Sequence, residues 1–204
     1  MRTVIFSLML ALFALVASTH PTTDTHQTPS DVDLTDQTFE VRPSPGAPPV
    51  LLNGTLDEIH AKLLEINPNY DDEDWEDVRP PLITRANMPR NPNKNVNCAI
   101  AKTSSRYARE NIEWIRKMDD RSGGKPIRGP GKCQRTRCMQ DSAIYWCNMA
   151  DHQKTLPAFR NIADGAQVIL NNCAAGGKVG GIHWHNDLWA VVIKPENCYP
   201  VNHG

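Results

Sequence analysis

The 204-residue chain has no apolar run long enough to cross a bilayer. A span needs about 20 predominantly apolar residues, and the longest stretch, residues 4–16, falls short and is broken by Ser7. It has no C-x-x-C pair and no thiol-rich finger spacing, which removes the usual signature of structural zinc. It has no block of Lys or Arg, so the broad polycation that grips nucleic acid through its phosphates is missing. Aromatic residues make up only 6% of the chain. There is no internal repeat beyond a loose β-α, β-α recurrence, which argues against solenoids and propellers.

The N-terminus reads as an export signal. Arg2 supplies a positive end, residues 4–16 an apolar stretch, and Val16-Ala17-Ser18 a small-residue cleavage site. The expectation is a signal peptide over residues 1–18 and a secreted, extracellular product. In that compartment the six cysteines, Cys98, Cys133, Cys138, Cys147, Cys173 and Cys198, are expected to form three disulfides. Their spacing leaves the connectivity open.

The net charge of −1 conceals an asymmetry. Residues 19–97 carry 14 acidic and 6 basic side chains, and residues 98–204 carry 9 acidic and 15 basic. The two parts should attract each other through solvent. Residues 19–49 are rich in Thr, Asp, Pro and Ser and poor in large apolar side chains, a composition that cannot repay chain ordering and predicts disorder.

Residues 19–94 read together as an acidic N-terminal segment with one short helix at about 55–66. Thr55-Leu56-Asp57-Glu58 is a capping box, and Leu56, Ile59, Leu63 and Ile66 follow at helical spacing up to Asn67-Pro68. Three turns are marginal alone in water, so this helix must dock. Asn53-Gly54-Thr55 is a glycosylation sequon. The acidic run from Asp71 to Asp77 reads either as a solvated linker or as a segment covering the basic domain with Trp75 as its anchor. Residues 79–92 read as an extended Pro-rich linker.

A cysteine-rich α+β domain is predicted over residues 95–204. A short strand near Cys98 leads to a helix from Ser104 or Ser105 to about Met118, with Ala108, Ile112 and Ile115 on one line. A Gly/Pro-rich loop follows, then a strand at Ser142–Cys147. A second helix starts near Leu156-Pro157 and carries Phe159, Ile162, Ala166, Ile169, Leu170 and Cys173 on one face. Gly165 lies in its middle, at a cost of about 1 kcal/mol relative to Ala, which close packing on a sheet would offset. Cys173 on the buried stripe implies a link from helix to sheet. A final hairpin closes on an Asn186-Asp187 turn, with Ile182 and Trp184 on one face and His183 and His185 on the other. The sum is two helices on a small antiparallel sheet, an α/β sandwich stapled by disulfides.

Several constellations bear on chemistry. His183 and His185 share a strand face, but spacing specifies no third ligand, so no metal or other cofactor is assigned. They read as surface imidazoles that charge below about pH 6.5. Cys147, a histidine and Asn148 would suit a thiol protease, yet a free thiolate leaves an odd cysteine. A secreted ribonuclease needs a base, an acid and a cation; Glu110 or Glu113, His183 or His185 and an arginine are the candidates. Trp114, Trp146, Trp184 and Trp189 could form an aromatic platform, or core. Arg128, Lys132, Arg135 and Arg137, on an expected loop around Cys133, join the two histidines as a candidate binding surface.

One resemblance rests on the layout Cys138-x8-Cys147-Asn148, a helix ending at Cys173, a Gly-rich lead into a His/Trp strand, and Trp189-x-Val191-Val192 with Cys198. The Ser142–Asn148 segment is its closest part. This resembles small secreted fungal proteins of the killer-toxin and necrosis-effector type. It implies helices on an antiparallel sheet held by disulfides, and a non-enzymatic secreted effector or toxin-like factor that binds an extracellular protein or glycan of another organism. The chain departs in having fewer cysteines than the best-known killer toxin of the type and in its acidic N-terminal segment. The resemblance carries no functional residue across. The alternative is a secreted hydrolase, ribonuclease-like, for which nucleic acid would be the partner.

Overall fold

The computed structural model describes residues 38–75 and 95–199. The expected signal peptide and the linker over residues 79–92 lie outside these. Among the described residues no helix is long and apolar enough to cross a membrane.

The chain order is β1 (Thr38–Val41), β2 (Val50–Asn53), α1 (Leu56–Ile66), β3 (Val96–Asn97), β4 (Thr103–Ser104), α2 (Ser105–Ser122), β5 (Lys125–Arg128), β6 (Lys132–Met139), β7 (Ser142–Asn148), β8 (Lys154–Thr155), α3 (Arg160–Cys173), β9 (Lys178–Val179), β10 (Gly181–His185) and β11 (Trp189–Pro195). The class is α+β with disulfides, richer in strands than two helices on one small sheet. The principal sheet runs β3-β10-β11-β7-β6; a second runs β2-β1-β5-β8; β4 and β9 form a short pair. All the strand pairs are antiparallel.

α2 and α3 cover one face of the principal sheet. That face presents Ile144 and Trp146 of β7 and Trp189, Val191 and Ile193 of β11, matched in register as Ile193↔Ile144 and Val191↔Trp146. α2 buries Ala108, Ile112, Ile115 and Met118 and ends on Gly123, whose φ of 55° is the left-handed value glycine adopts without penalty. α3 buries Ile162, Ala166, Ile169 and Leu170. Its first helical residue is Arg160, because Leu156 N–H donates to the Pro126 carbonyl and Lys154–Thr155 pairs with β5 instead. The opposite face of the sheet gathers Ala143, Tyr145, Cys147, Ala190 and Val192, with Ile182 and Trp184 packed against them.

The disorder expected for residues 19–49 does not extend over Thr38–Val41. This strand pairs with β2 on one side and β5 on the other. Phe39 and Val41 are buried, and Phe39 meets Phe159 with ring centroids 5.3 Å apart. The expected helix is present with its capping box: Thr55 accepts from Glu58 N–H at 3.4 Å, and Glu58 accepts from Thr55 N–H at 2.7 Å. It docks through Leu56, Ile59 and Leu63. Tyr70 and Trp75 complete this N-terminal layer, with Trp75 Nε1 donating to the Tyr70 carbonyl at 3.1 Å. Residues 38–75 are therefore part of the same core as residues 95–199, not a separate acidic appendage.

The six cysteines pair as Cys98–Cys173, Cys133–Cys147 and Cys138–Cys198. The first ties the end of α3 to the segment after β3, the helix-to-sheet link that Cys173 implied. The second joins directly opposed residues of β6 and β7. The third pins the tail after β11 to β6.

Candidate functional site

The proposed basic surface does not exist as a surface. Residues 132–139 form a strand rather than a loop, and alternation divides its side chains between two faces. Arg128 is 1% exposed; its guanidinium donates to Gln134 Oε1 at 2.8 Å and to the Cys133 carbonyl at 2.9 Å. Arg135 faces the side of Tyr145 and pairs with Glu196 at 3.2 Å. A register shift between Arg135 and Arg137 then re-aims the strand. Arg137 consequently falls on the helix face, its guanidinium 4.0 Å from the centroid of Trp114 and paired with Asp57 of α1. Burial lowers its pKa to about 10. Of the four cations only Lys132 is exposed. Isolated sequence spacing could not show this, because the bulge is invisible in composition.

The histidine pair is also interior. Alternation places His183 and His185 together as expected, but α3 lies over that face. Their ring centroids are 4.4 Å apart, and His185 stacks on Trp189 at 3.4 Å with ring planes 9° apart. His183 is 2% exposed. Burial depresses the pKa of His183, opposed by the Gly165 backbone. For His185 burial and then the neighbouring His183 lower it to about 3, against the pull of Asp187. Both rings are neutral near pH 7, so they act as packing elements rather than surface charges. The turn beyond them spans residues 186–188, with Leu188 at φ 61°, in place of a two-residue Asn186-Asp187 loop.

The ribonuclease constellation is not assembled. Glu110 pairs with Arg106 at 2.9 Å and Glu113 is exposed, both on α2, whereas the histidines lie beneath α3. Among the described residues no group of three or more His, Cys, Asp or Glu is placed to hold a metal ion. Cys147 is in a disulfide, which removes the thiolate a protease needs. Trp146 and Trp189 are core, and Trp114 is covered by Arg137 and His60. Asn53 is exposed at the end of β2, where its side chain accepts from Thr38 Oγ at 2.9 Å.

A groove that the sequence did not suggest lies elsewhere. It has a volume of about 770 Å³ and forms where α2 begins, β6 turns into β7, β9 passes, and the tail leaves β11. The turn at Gln140 and Asp141 forms its centre. Three donors hold that turn: Thr103 Oγ and Glu196 N–H to the Asp141 carbonyl at 2.6 and 3.1 Å, and Cys198 N–H to the Gln140 carbonyl at 3.2 Å. The Cys138–Cys198 disulfide locks the same wall. Tyr199, 60% exposed, donates its hydroxyl to Gln140 Oε1. Gln140 itself has φ 57°, a left-handed value uncommon for a residue with a side chain. The signal available in the sequence is that Gln140 and Tyr199 follow Cys138 and Cys198 closely, so a link between those cysteines brings them together.

Comparison of the chain with protein-family models, with curated proteins and with solved structures gives no match.

Proposed function

We propose that this chain is a secreted, disulfide-stapled binding protein of effector or toxin-like kind, which engages an extracellular target of another organism without catalysing a reaction. The observation that carries the reading is the division of polar groups between interior and surface. The imidazoles of His183 and His185 that acid–base chemistry would use, and most of the arginines that would hold a phosphate, are spent on packing, hydrogen bonds and ion pairs. Polar groups, several of them without a partner in the protein, instead line an open groove, one wall of which is held by a disulfide. A rigid rim loses little conformational entropy when it binds, which favours recognition. The leader expected over residues 1–18, the three disulfides and the resemblance of the cysteine layout to fungal killer-toxin and necrosis-effector proteins support it. Asn53 stands where a glycan could be attached to an exported glycoprotein.

The test is to apply the purified secreted protein to candidate host cells or tissue and, in parallel, to incubate it with RNA. Growth arrest or cell death with intact RNA is expected. RNA cleavage that survives rigorous purification would replace this reading with a hydrolase.

A further inference from the structure

The groove between α2 and the C-terminal tail has a chemistry that selects among ligands. Its volume lies in the range of small-ligand sites, about 300–1,000 Å³. Its polar rim carries exposed groups that have no partner within the protein. Ser104 caps α2 by backbone position alone, with no hydrogen bond from its hydroxyl to the helix. Among the described residues, the Gln140 amide nitrogen, the Asp141 carboxylate, the Asn197 amide nitrogen and the Lys178 ammonium have no hydrogen-bond or ion-pair partner. Those groups supply donors and acceptors side by side. Two tyrosines, Tyr107 and Tyr199, stand among them. Their rings offer flat apolar faces beside polar tips.

The charge is mixed. Lys178 and Asp141 are of opposite sign, and Glu196 is already held by Arg135 at 3.2 Å and Lys194 at 3.7 Å. A polyanion would meet Asp141 beside a Glu196 already neutralised, and a polycation would meet Lys178 with the Arg135 and Lys194 cations behind Glu196, so three cations against two carboxylates give neither sign a clear advantage. A flat, uncharged molecule bearing many adjacent hydroxyls meets neither penalty. Its hydroxyl pairs can bridge amide and carboxylate, and its C–H face can lie on a tyrosine ring. The groove is open to solvent rather than enclosed, so a bound chain can continue beyond it. Open, polar sites of this kind bind through many individually modest hydrogen bonds.

We infer that this groove binds a short neutral oligosaccharide, of the class displayed on cell walls. The inference rests on the binding-protein reading above and names the chemistry of its target.

The experiment uses the full secreted protein and calorimetric titration with chitohexaose, laminarihexaose, cellohexaose and mannohexaose, with a heparin hexasaccharide as the anionic comparison. Saturable binding of at least one neutral hexasaccharide is expected. Tyr199→Ala should weaken it tenfold or more, and so should Gln140→Gly, which removes the amide while suiting the left-handed turn. Leu51→Ser, on an exposed β2 position outside the groove, should leave it unchanged. Thermal melts of each variant separate loss of contact from loss of fold: a variant that melts at the wild-type temperature yet fails to bind supports the site. Binding of the heparin fragment alone, no binding to any neutral sugar, or neutral-sugar binding indifferent to both groove variants overturns it. Should the protein still act on host cells while no sugar binds, only the sugar assignment falls. Should sugar bind while host cells are unaffected, the effector reading falls and the groove stands.

Discussion

Gly165 of α3 sits so close to Val191 of β11 that a Cβ added to the glycine would lie 2.6 Å from Val191 Cγ2. The same added atom would be 3.2 Å from His185 Nε2. The missing side chain is what lets the helix settle onto the sheet and roof the histidines. Gly165→Ala gains about 1 kcal/mol of helix propensity but overpacks a filled interior, which costs about 1–3 kcal/mol. The expected net is a loss on the order of 1 kcal/mol, a fall in Tm of about 2–4 °C for a chain of this size. Removing the obstructing methyls with Val191→Ala should shrink or reverse the effect of Gly165→Ala when the double variant is compared with Val191→Ala alone. Equal effects in both backgrounds would mean that Val191 is not the obstacle.

The roofed histidines give stability a pH dependence of known sign. The folded-state pKa of His185 lies near 3 and that of His183 is also depressed, against about 6.5 in an unfolded chain. Below pH 6.5 the unfolded chain therefore binds protons that the native state refuses, and stability falls as pH drops toward 3. His185 alone should cost about 2 kcal/mol between pH 7 and pH 5. Asp119, whose carboxyl pKa is raised by burial, contributes in the opposite direction, so the difference between proteins is the informative quantity. Urea titrations at the two pH values should show the loss in the native sequence and a loss smaller by about 2 kcal/mol in His185→Phe, which keeps a ring against Trp189. Identical pH slopes would show that His185 titrates normally.

The three disulfides are not equivalent. Cys98–Cys173 closes a sequence separation of 75, Cys138–Cys198 one of 60 and Cys133–Cys147 one of only 14. Constraint of the unfolded chain grows with the logarithm of loop length, so the first should outweigh the last by about 1.5 kcal/mol. Paired replacement Cys98→Ala with Cys173→Ala is expected to lower the urea midpoint more than Cys133→Ala with Cys147→Ala. Intact-mass measurement of the purified, unreduced protein should show six hydrogens gained on full reduction. The reverse ranking would place the stabilisation in local sheet contacts rather than in chain constraint.

Where local chemistry governs an element, the chain is readable without coordinates. Thr55 and Glu58 announce α1, and the spacing of Ile112 and Ile115, or of Ile162, Ala166 and Ile169, announces the two long helices. Even the need for close packing at Gly165 can be read. What cannot be read depends on distant partners. Thr38–Val41 is four residues in a Pro- and Asp-rich context, and it is a strand because Lys125, Pro126 and Ile127 lie beside it. β6 looks like a basic loop because Gln134 and Thr136, not apolar side chains, occupy its buried positions. Alternation correctly paired His183 with His185, yet nothing local says which face of the sheet the helix will cover. The groove is assembled from four separated segments, so no window of sequence contains it.

The N-terminal layer provides the most demanding test of the architecture. A chain beginning at Asn95 keeps every cysteine and both long helices, so the disulfide framework alone would let it fold. The core gives the opposite expectation. Phe39, Leu56, Ile59, Leu63, Tyr70 and Trp75 are all buried in the cluster that also contains Ile112, Trp146 and Phe159. Burying one large apolar side chain is worth about 1.5–3 kcal/mol, so removing six exceeds a typical total stability of about 5–15 kcal/mol over most of its range. Truncation would also bare Phe159 and Trp114, which Phe39 and His60 now contact. The fragment starting at Asn95 is expected to lose its cooperative melt and its near-ultraviolet circular dichroism even with all three disulfides formed. The milder Trp75→Ala should remain folded but lose about 3–5 kcal/mol, read from the urea midpoint. A fragment that melts cooperatively within a few degrees of the full protein would instead make residues 38–75 a detachable cover.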